Sequence, residues 1–398
     1  MRLGRDLAHV VLKQIEMRTV LCCIGISPCK MGGIESLCLH MARTAANWRF
    51  VFCFAGEASP AVREEFSREE NITLEVMCQP GGLDVRGIPG FIRLLLRHRP
   101  SIFLYSFSGV VRLWPWLAYL LGVRTIVYND QSSRTSAFRP SAAKRILYRC
   151  LVYPVTASIC VSDYVRRTEL EEGVLNASQM CVVPSGVDLA RASAGQKRGI
   201  HFRNDYGIPR DGIVGIQVSW LVPVKGIDKT LRAASRVMAD HKNLYMIFVG
   251  DGDHRQIYEQ LARELGIQER VRFVGMLQDP LGEGAFAAAD FQIQASQWHE
   301  AFCLAVIEGM SAGLPVIATR SGGLPELVHE GENGRLVEND VDQLAHAIRE
   351  LTEDHALRLS MGHASMKRSA AYSIEDTAKK YLAVMGVPYH QSEGALTT

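Results

Sequence analysis

Short apolar runs alternate along the whole chain with segments whose apolar residues repeat at helical spacing. The runs include, in the first half, TVLCCIGI, FVFCFAG, SIFLYSF and TIVYND and, in the second half, IVGIQVSW, LYMIFVGDG, FQIQAS and PVIATRS. Near-continuous apolar strands between helices are typical of parallel sheets that are covered on both faces. The pattern therefore predicts an α/β protein.

Two such units in tandem predict two Rossmann-like domains whose parallel sheets face each other across a cleft. The polar stretch 190–205 has the composition of a linker. We expect one domain over 1–195, with 1–18 as an extension, and a second domain over 196–370. Because SIEDTAKKYLAVM is amphipathic at helical spacing, residues 371–398 predict a helix that packs back across the domains, followed by a tail.

Charge is distributed unevenly, although the net charge is only +2. Residues 1–190 contain 22 Lys and Arg against 16 Asp and Glu, and the remainder contains 22 against 26. From Arg86 to Arg149 there are eleven basic residues and one acid. This excess indicates a surface for phosphate, nucleic acid or anionic lipid. Within it, FIRLLLRHR has the pattern of an interfacial helix, and a packed helix with solvated arginines explains it equally well.

Other features favour a protein of the cytoplasm. Arg112 and Pro115 interrupt the most apolar stretch, 101–123, which favours strand, loop and helix over a membrane span. Residues 1–17 lack the apolar core of a secretory signal. Nine of the ten cysteines precede residue 182, several in strand-like runs, which indicates buried thiols. With no C-x-x-C pair and no H-E-x-x-H motif, the sequence predicts no zinc site.

Two loops that follow predicted strands carry groups suited to an anion, and ligands of open parallel sheets bind at such loops. Gly32 and Gly33 precede a helix, and paired glycines let backbone amides approach a phosphate. Lys225 precedes a glycine that opens another helix, where an ammonium and a helix N-terminus can act on one anion. Each feature alone also fits a plain turn or a solvated lysine.

The stretch QASQWHEAFCLAVIEGMSAGLPV has the densest set of candidate groups. Glu300 lies in a loop, and a helix is expected from about Ala301 to Gly313. The free amides at the start of such a helix would bind an anionic or hydroxyl-rich ligand. Glu308, further along the helix, could accept hydrogen bonds from a diol such as a ribose, because a buried carboxylate without such a partner would be costly.

Five motifs in order resemble the retaining nucleotide-sugar glycosyltransferases of family four, which have the GT-B architecture. The motifs are GGIE, VPSGVD, LVPVKGID, FVGDGDHRQIYEQLARELGIQERVRFVG, and the E-x7-E of Glu300 and Glu308 followed by MSAGLPVIATRSGGLPELV. The resemblance covers about residues 19–385. It implies that the domain over 1–195 is the acceptor side and that the domain over 196–370 binds the nucleotide sugar. It implies transfer of a sugar from a nucleotide-diphosphate donor, by default UDP-linked, to a hydroxyl of a glycan or lipid-linked acceptor with retention, in cell-surface polysaccharide or lipopolysaccharide synthesis.

The resemblance also implies roles for individual residues. Glu308 would hold the ribose, Glu300 would contact hydroxyls of the donor sugar, and Lys225 would neutralise the diphosphate. Backbone groups would make the remaining donor contacts: Arg272 and Phe273 to the base, and, to the diphosphate, Gly32, Gly33, Phe302, Cys303, Leu304 and Ala305. The leaving phosphate oxygen would help to deprotonate the acceptor, so neither a protein nucleophile, a metal nor a cofactor is expected.

The sequence departs from the family pattern in three respects. Trp220 replaces the usual arginine, which removes one cation from the diphosphate site. Ala301 and Cys303 replace the glycines of GFG, so a positive φ at either would be strained. The acceptor-side histidine often found after the fifth strand is absent, and Asp130, next to Asn129, becomes the candidate acceptor-side catalytic residue.

Other functions account for parts of the sequence. Asp251 and Asp253 could carry a metal on a diphosphate, as in glycosyltransferases of the other fold, but the Lys225 and Glu308 pattern has no place there. GDGDHR fails as a dinucleotide fingerprint because Arg255 replaces the third glycine, and no P-loop motif occurs. A nucleotide-sugar epimerase and a catalytically silent nucleotide-sugar-binding partner subunit remain as alternatives. A nucleic-acid partner is not expected. Contact of the basic N-terminal domain with an anionic membrane at the inner face of the cell is an open alternative.

Overall fold

The computed structural model describes residues 17–79, 84–132 and 140–389 and contains two parallel sheets. The first sheet has the order β3-β2-β1-β4-β5-β6-β7 and the second β10-β9-β8-β11-β12-β13. The strands are β1 Thr19–Ile24, β2 Arg49–Phe54, β3 Ile72–Val76, β4 Ile102–Ser106, β5 Thr125–Asp130, β6 Ala157–Cys160, β7 Met180–Val182, β8 Ile213–Val218, β9 Leu244–Val249, β10 Val271–Gly275, β11 Phe291–Gln294, β12 Val316–Thr319 and β13 Gly334–Val337. The predicted fold class, α/β with two Rossmann-like sheets, is confirmed.

Helices cover both faces of each sheet. In the described residues they are α1 Gly33–Thr44, α2 Pro60–Ser67, α3 Ile88–His98, α4 Trp114–Leu120, α5 Ala142–Val152, α6 Asp163–Glu172, α7 Leu189–Gln196, α8 Gly199–Asp205, α9 Ile227–Asp240, α10 Arg255–Glu264, α11 Leu304–Ser311, α12 Leu324–Leu327, α13 Val341–Glu353, α14 His355–Ser369 and α15 Ile374–Met385. All six residues of β1 are buried, as expected for a central strand that is covered on two sides. Successive residues of β1 therefore belong to different cores, Leu21 beneath α3 and α4 and Val20 beneath α1 and α15.

The apolar stretch 101–123 forms β4, a loop and α4, as the sequence predicts. None of the helices in the described residues is both long and apolar enough to cross a bilayer. Burial of the cysteines is mixed: Cys22, Cys23, Cys38, Cys53 and Cys160 are buried, whereas three others are exposed. The proposed N-terminal extension lies largely outside the described residues.

The segment predicted as a linker, 190–205, contains two helices. Asp188 caps α7 by accepting hydrogen bonds from the amides of Ala190 and Arg191, and α8 follows after a short turn. A Cβ on Gly195 would lie 2.0 Å from the carbonyl oxygen of Leu281. The small residues of this segment therefore pack closely against the second half, which polar composition alone did not indicate.

The chain returns to its first half at the end. The amide of Val187 donates to the carbonyl of Tyr372, and the amide of Ile374 donates back to Val187, at 2.8 and 3.0 Å. Helix α15 then packs on α1, and the hydroxyl of Tyr381 donates to Asn129 at 2.9 Å. The C-terminal helix thus contacts the end of β5 directly, next to a candidate catalytic residue.

Candidate active site

Lys225 and Glu300 form an ion pair at the centre of the predicted site. The ammonium donates to Oε1 of Glu300 at 2.6 Å, and the glutamate is only 5% exposed. Oε1 also accepts from Ser296 at 2.5 Å and from Gln294 at 3.3 Å. Charge-assisted bonds of this kind hold a buried carboxylate in one orientation. The loop after β11 and the turn before α9 are therefore joined at this pair.

Gly226 lets the lysine turn approach so closely. Its φ is 68°, and a Cβ there would lie 2.0 Å from the carbonyl oxygen of Ala295. A side chain at this position would be strained and would also push the two loops apart. Lys225 Nζ lies 5.2 Å from the ring centroid of Trp298, a distance at which the aromatic face attracts a cation.

Helix α11 begins at Leu304, three residues later than the sequence predicted. Cys303 precedes it with φ 89° and ψ 83°, so the positive φ expected for a GFG-like loop occurs at this position and not at Ala301. A non-glycine residue in such a conformation costs of order 1–3 kcal/mol. The first amides of the helix, those of Leu304 and Ala305, have no intrahelical acceptor and can serve an anion.

Glu308 lies one turn into α11. Loss of hydration raises the pKa of this carboxyl to about 7, while the charges of Arg191 and Lys30 lower it and Asp279 raises it. Although part of its surface is accessible, protein surrounds the carboxyl closely. Lys30 belongs to the loop before α1, so a cation of the first half acts on a carboxylate of the second. Near neutral pH this group changes between a hydrogen-bond donor and an acceptor.

Gly33 meets α11 from across the cleft. A Cβ on Gly33 would lie 2.2 Å from Cδ1 of Leu304, so the two helix N-termini approach each other at this point. The amide of Gly32 donates to the Glu35 carboxylate at 3.0 Å, so one of the two predicted anion-binding amides is already occupied. Burial raises the pKa of the Glu35 carboxyl.

A cavity of about 400 Å³ also opens between the halves, lined among others by Met31, His40, Arg191 and Asp279. None of Lys225, Glu300 and Glu308 lines it. Arg191 is held there by Asp279, with Nε 3.1 Å from Oδ2. The charges of Arg191 and Asp279 act on Glu308, so this cavity lies beside one of the predicted donor residues.

The residues predicted to read the base lie on β10, at the edge of the second sheet. The Arg272 side chain donates to the carbonyl of Tyr206 at 2.7 Å, and the carbonyl of Phe273 accepts from Arg255 at 3.0 Å. The Phe273 ring stacks on Phe248 with centroids 5.1 Å apart. A base that paired with the Phe273 carbonyl would share that carbonyl with Arg255. Recognition of the base by this strand stays a prediction.

Asp130 is fully buried at the end of β5, and its Oδ1 accepts from the amide of Ser132 at 2.9 Å. The adjoining residues 133–139 lie outside the described residues. Its acceptor-side role stays a prediction. Trp220, in place of the family's arginine, is 55% exposed after β8.

Sequence reasoning missed the contacts that join the two halves. The carboxylate of Glu326 accepts from the amides of Asp163 and Tyr164 at 2.9 and 2.7 Å, at the start of α6. Ser162 Oγ donates to the carbonyl of Ala301 at 2.5 Å. Glu326 does lie in the quoted GGLPELV motif, but a motif does not identify a partner 163 residues away.

Two family models match this chain. The model described as Glycosyltransferase Family 4 matches residues 31–191, and the one described as Glycosyl transferases group 1 matches residues 200–368. The chain belongs to the family-four glycosyltransferases. The resemblance proposed from the five motifs is thereby confirmed at the level of the family.

Relatives of this family member are distant. A D-inositol 3-phosphate glycosyltransferase of Corynebacterium jeikeium is 29% identical over 67% of this chain and 66% of its own length. The enzyme of the same name from Corynebacterium urealyticum is 31% identical over 57% of this chain and 56% of its own length. The exopolysaccharide phosphotransferase SCO2592 of Streptomyces coelicolor is 32% identical over 64% of this chain and 26% of its own length. The matches thus span less than two thirds of these relatives.

Solved structures share the fold over nearly the whole chain. A glycosyltransferase from Rickettsia africae has a TM-score of 0.78 at 18% identity and covers 93% of this chain and 98% of its own. Anabaena Alr3699/HepE, in complex with UDP and glucose, has a TM-score of 0.73 at 19% identity and covers 94% and 100%. These similarities establish the GT-B arrangement of the two sheets.

Proposed function

We propose that this family-four member transfers a sugar from a UDP-sugar to a hydroxyl of a glycan or lipid-linked acceptor, with retention of configuration. One observation carries the proposal: the Lys225–Glu300 pair and the start of α11 come together opposite Gly33 of the other half. An ammonium, a helix N-terminus and a carboxylate at one place suit an anionic, hydroxyl-rich donor.

In this proposal each group acts on a different part of the donor. Glu308 accepts hydrogen bonds from the ribose diol, and the amides of Leu304 and Ala305 face the diphosphate. Lys225 turns from Glu300 towards the phosphates, and the released Glu300 carboxylate accepts from sugar hydroxyls. UDP is the nucleotide chosen because Anabaena HepE and Staphylococcus aureus TarM, both of the same fold, are described in complex with UDP.

Retention would proceed without a protein nucleophile. With Lys225 turned towards the phosphates, Oε1 of Glu300 is still held by Ser296 and Gln294, which suits a group that positions sugar hydroxyls. Charge on the leaving diphosphate would be stabilised by Lys225 and the α11 terminus, so the reaction needs no metal or cofactor. In the described residues no group of three His, Cys, Asp or Glu side chains is placed to hold a metal. Asp130 would act on the acceptor side.

Charge and relatives support the proposed acceptor class. The excess of basic residues between Arg86 and Arg149 favours a phosphate-bearing or membrane-bound acceptor at the inner face of the cell membrane. The named relatives include inositol-phosphate and exopolysaccharide enzymes, and the same-fold protein WaaG is described as involved in lipopolysaccharide biosynthesis. We place this chain in synthesis of cell-surface polysaccharide or lipopolysaccharide.

The test is a panel of nucleotide sugars, screened first by thermal shift and then for turnover. A ligand that binds the folded state raises the melting temperature by mass action. Transfer requires release of UDP that depends on the acceptor. Binding without release would identify a silent partner subunit, and a changed sugar still attached to its nucleotide would identify an epimerase; either result would overturn the proposal.

A further inference from the structure

Helix α5 is exposed along almost its whole length. Of its eleven residues, all of them described, only Val152 is buried. Ile146 and Leu147 in its middle are 66% and 52% exposed. Helices of globular proteins normally bury an apolar stripe, so exposed branched aliphatic residues in mid-helix indicate a surface that is covered by something else.

The exposed apolar surface continues onto α4. Trp116 stacks on Tyr153 with centroids 6.0 Å apart, and its indole N–H donates to the carbonyl of Cys150 at 2.9 Å. Tyr153 is 72% exposed, as is Leu120 at the end of α4. We call Trp116, Leu120, Leu121, Ile146, Leu147 and Tyr153 the α4–α5 surface. It combines aliphatic side chains with Trp and Tyr, as membrane-interface surfaces do.

Cations flank this surface. Lys144 and Arg145 are exposed on α5, and Arg124 lies over the ring of Tyr119 at 4.5 Å. Arg149 donates to the carbonyl of Gly173 at the end of α6. The stretch from Arg86 to Arg149 contains one acidic residue, Asp130, and this residue is fully buried. The stretch itself therefore exposes no carboxylate that would repel an anionic partner.

The neighbouring helix α3, whose sequence FIRLLLRHR has the interfacial pattern, is packed instead. Phe91, Leu94 and Leu95 are buried in the core, and Arg97 pairs with Glu75 at 3.0 Å. For α3 the packed-helix alternative therefore holds. The exposed amphipathic element of this basic stretch is α5.

We propose that the α4–α5 surface docks on an anionic lipid bilayer, with Ile146 and Leu147 entering the acyl boundary and Lys144 and Arg145 bound to headgroups. Apolar insertion flanked by lysine and arginine is how interfacial helices bind such membranes. Docking concerns where the enzyme works and does not depend on which sugar it transfers. It would present the acceptor side of the first sheet to membrane-bound substrates.

The experiment is co-sedimentation of the full chain with vesicles of phosphatidylcholine alone and with vesicles that also contain phosphatidylglycerol. We expect binding to the anionic vesicles and a loss of about tenfold in affinity for the double variant Ile146→Asp, Leu147→Asp. Both side chains are exposed, so the fold has no need of them. Ile257→Asp is the matched control, because Ile257 is an exposed residue, 57% accessible, on α10 of the second half.

Three outcomes decide the matter. If the double variant sediments like wild type, the α4–α5 surface is not the contact and the proposal fails. If wild type binds neither vesicle and instead forms a dimer that is absent in the double variant, the α4–α5 surface is covered by a second copy of the chain and the proposal also fails. If binding to the anionic vesicles falls both in this double variant and in the double variant Lys144→Gln, Arg145→Gln, the proposal stands. Turnover with a water-soluble acceptor, unchanged in these variants, separates docking from catalysis.

Discussion

Gly33 of the first half lies directly against Leu304 of the second, so closely that a Cβ on the glycine would reach 2.2 Å from the leucine Cδ1. The first turns of α1 and α11 thus meet where the donor diphosphate is proposed to bind. We predict that Gly33→Ala displaces Leu304 and weakens donor binding by about 1 kcal/mol, in the range typical of overpacking. Steady-state kinetics would show this as a higher KM for the donor.

The matched control is the double variant Gly33→Ala, Leu304→Ala. Removing the leucine side chain makes room for the new methyl group, so the KM should return towards that of Leu304→Ala alone. If the effects of the two substitutions on the donor KM simply add, the contact does not set the geometry of the donor site.

Lys225→Ala should abolish most transfer while the fold survives. Loss of a charge-stabilising donor in an active site typically lowers the rate about 100-fold or more. Glu300 keeps its bonds from Ser296 and Gln294, so we expect the free energy of unfolding to fall by only about 1–3 kcal/mol. Lys242→Ala, at an exposed lysine bonded to its own helix end, should change neither rate nor stability. Wild-type turnover in Lys225→Ala would refute the site assignment.

Donor binding should depend on pH through Glu308. The pKa of its carboxyl, normally 4.5, is raised to about 7 by burial, and protonation converts one of the two oxygens that face the ribose diol into a hydrogen-bond donor. Donor affinity should therefore fall as the pH drops through 7. Titration calorimetry from pH 8 to 6 would measure this, and Glu308→Gln should bind weakly with little dependence on pH. An equally steep pH dependence in the variant would exclude Glu308 as its source.

Stability should show the opposite dependence. Because the folded-state pKa lies above the unfolded value, the folded state binds the extra proton between pH 4.5 and about 7. The stabilising contribution is complete below pH 4.5 and is lost as the pH rises to about 7. Denaturant unfolding of the ligand-free protein should show a smaller loss of stability over this interval in Glu308→Gln than in wild type.

The sequence predicted both sheets and the E-x7-E region because periodic burial and short motifs are local signals. It did not predict where α11 begins, since Cys303 adopts a positive φ that its residue type disfavours and only the packed loop enforces. It also did not predict the helices within 190–205, because polar and small residues conceal them, and their close packing is a tertiary contact, as between Gly195 and Leu281. Contacts between the halves, such as that of Glu326 with Asp163, depend on tertiary placement and leave no local pattern.

Glu326 should hold the two halves together. Its carboxylate caps α6 through the amides of Asp163 and Tyr164, and loss of such a cap typically costs about 1 kcal/mol. Glu326→Ala should therefore increase the radius of gyration in small-angle scattering and raise the donor KM. Glu338→Ala, at an exposed glutamate of the same half that pairs with Arg320, is the control. A variant as compact as wild type would show that other contacts set the closure.

Cys303→Gly should stabilise the protein. Cys303 has φ 89°, where a Cβ is strained, and relief of that strain outweighs the entropy that glycine adds to the unfolded chain, for a net gain of about 1 kcal/mol. Burial raises the pKa of its thiol to about 12, so no thiolate charge is lost near neutral pH. Cys303→Ala keeps the Cβ and should gain nothing. If both variants gain equally in denaturant unfolding, removal of the sulfur and not of the Cβ is responsible, and the backbone at this turn is unstrained.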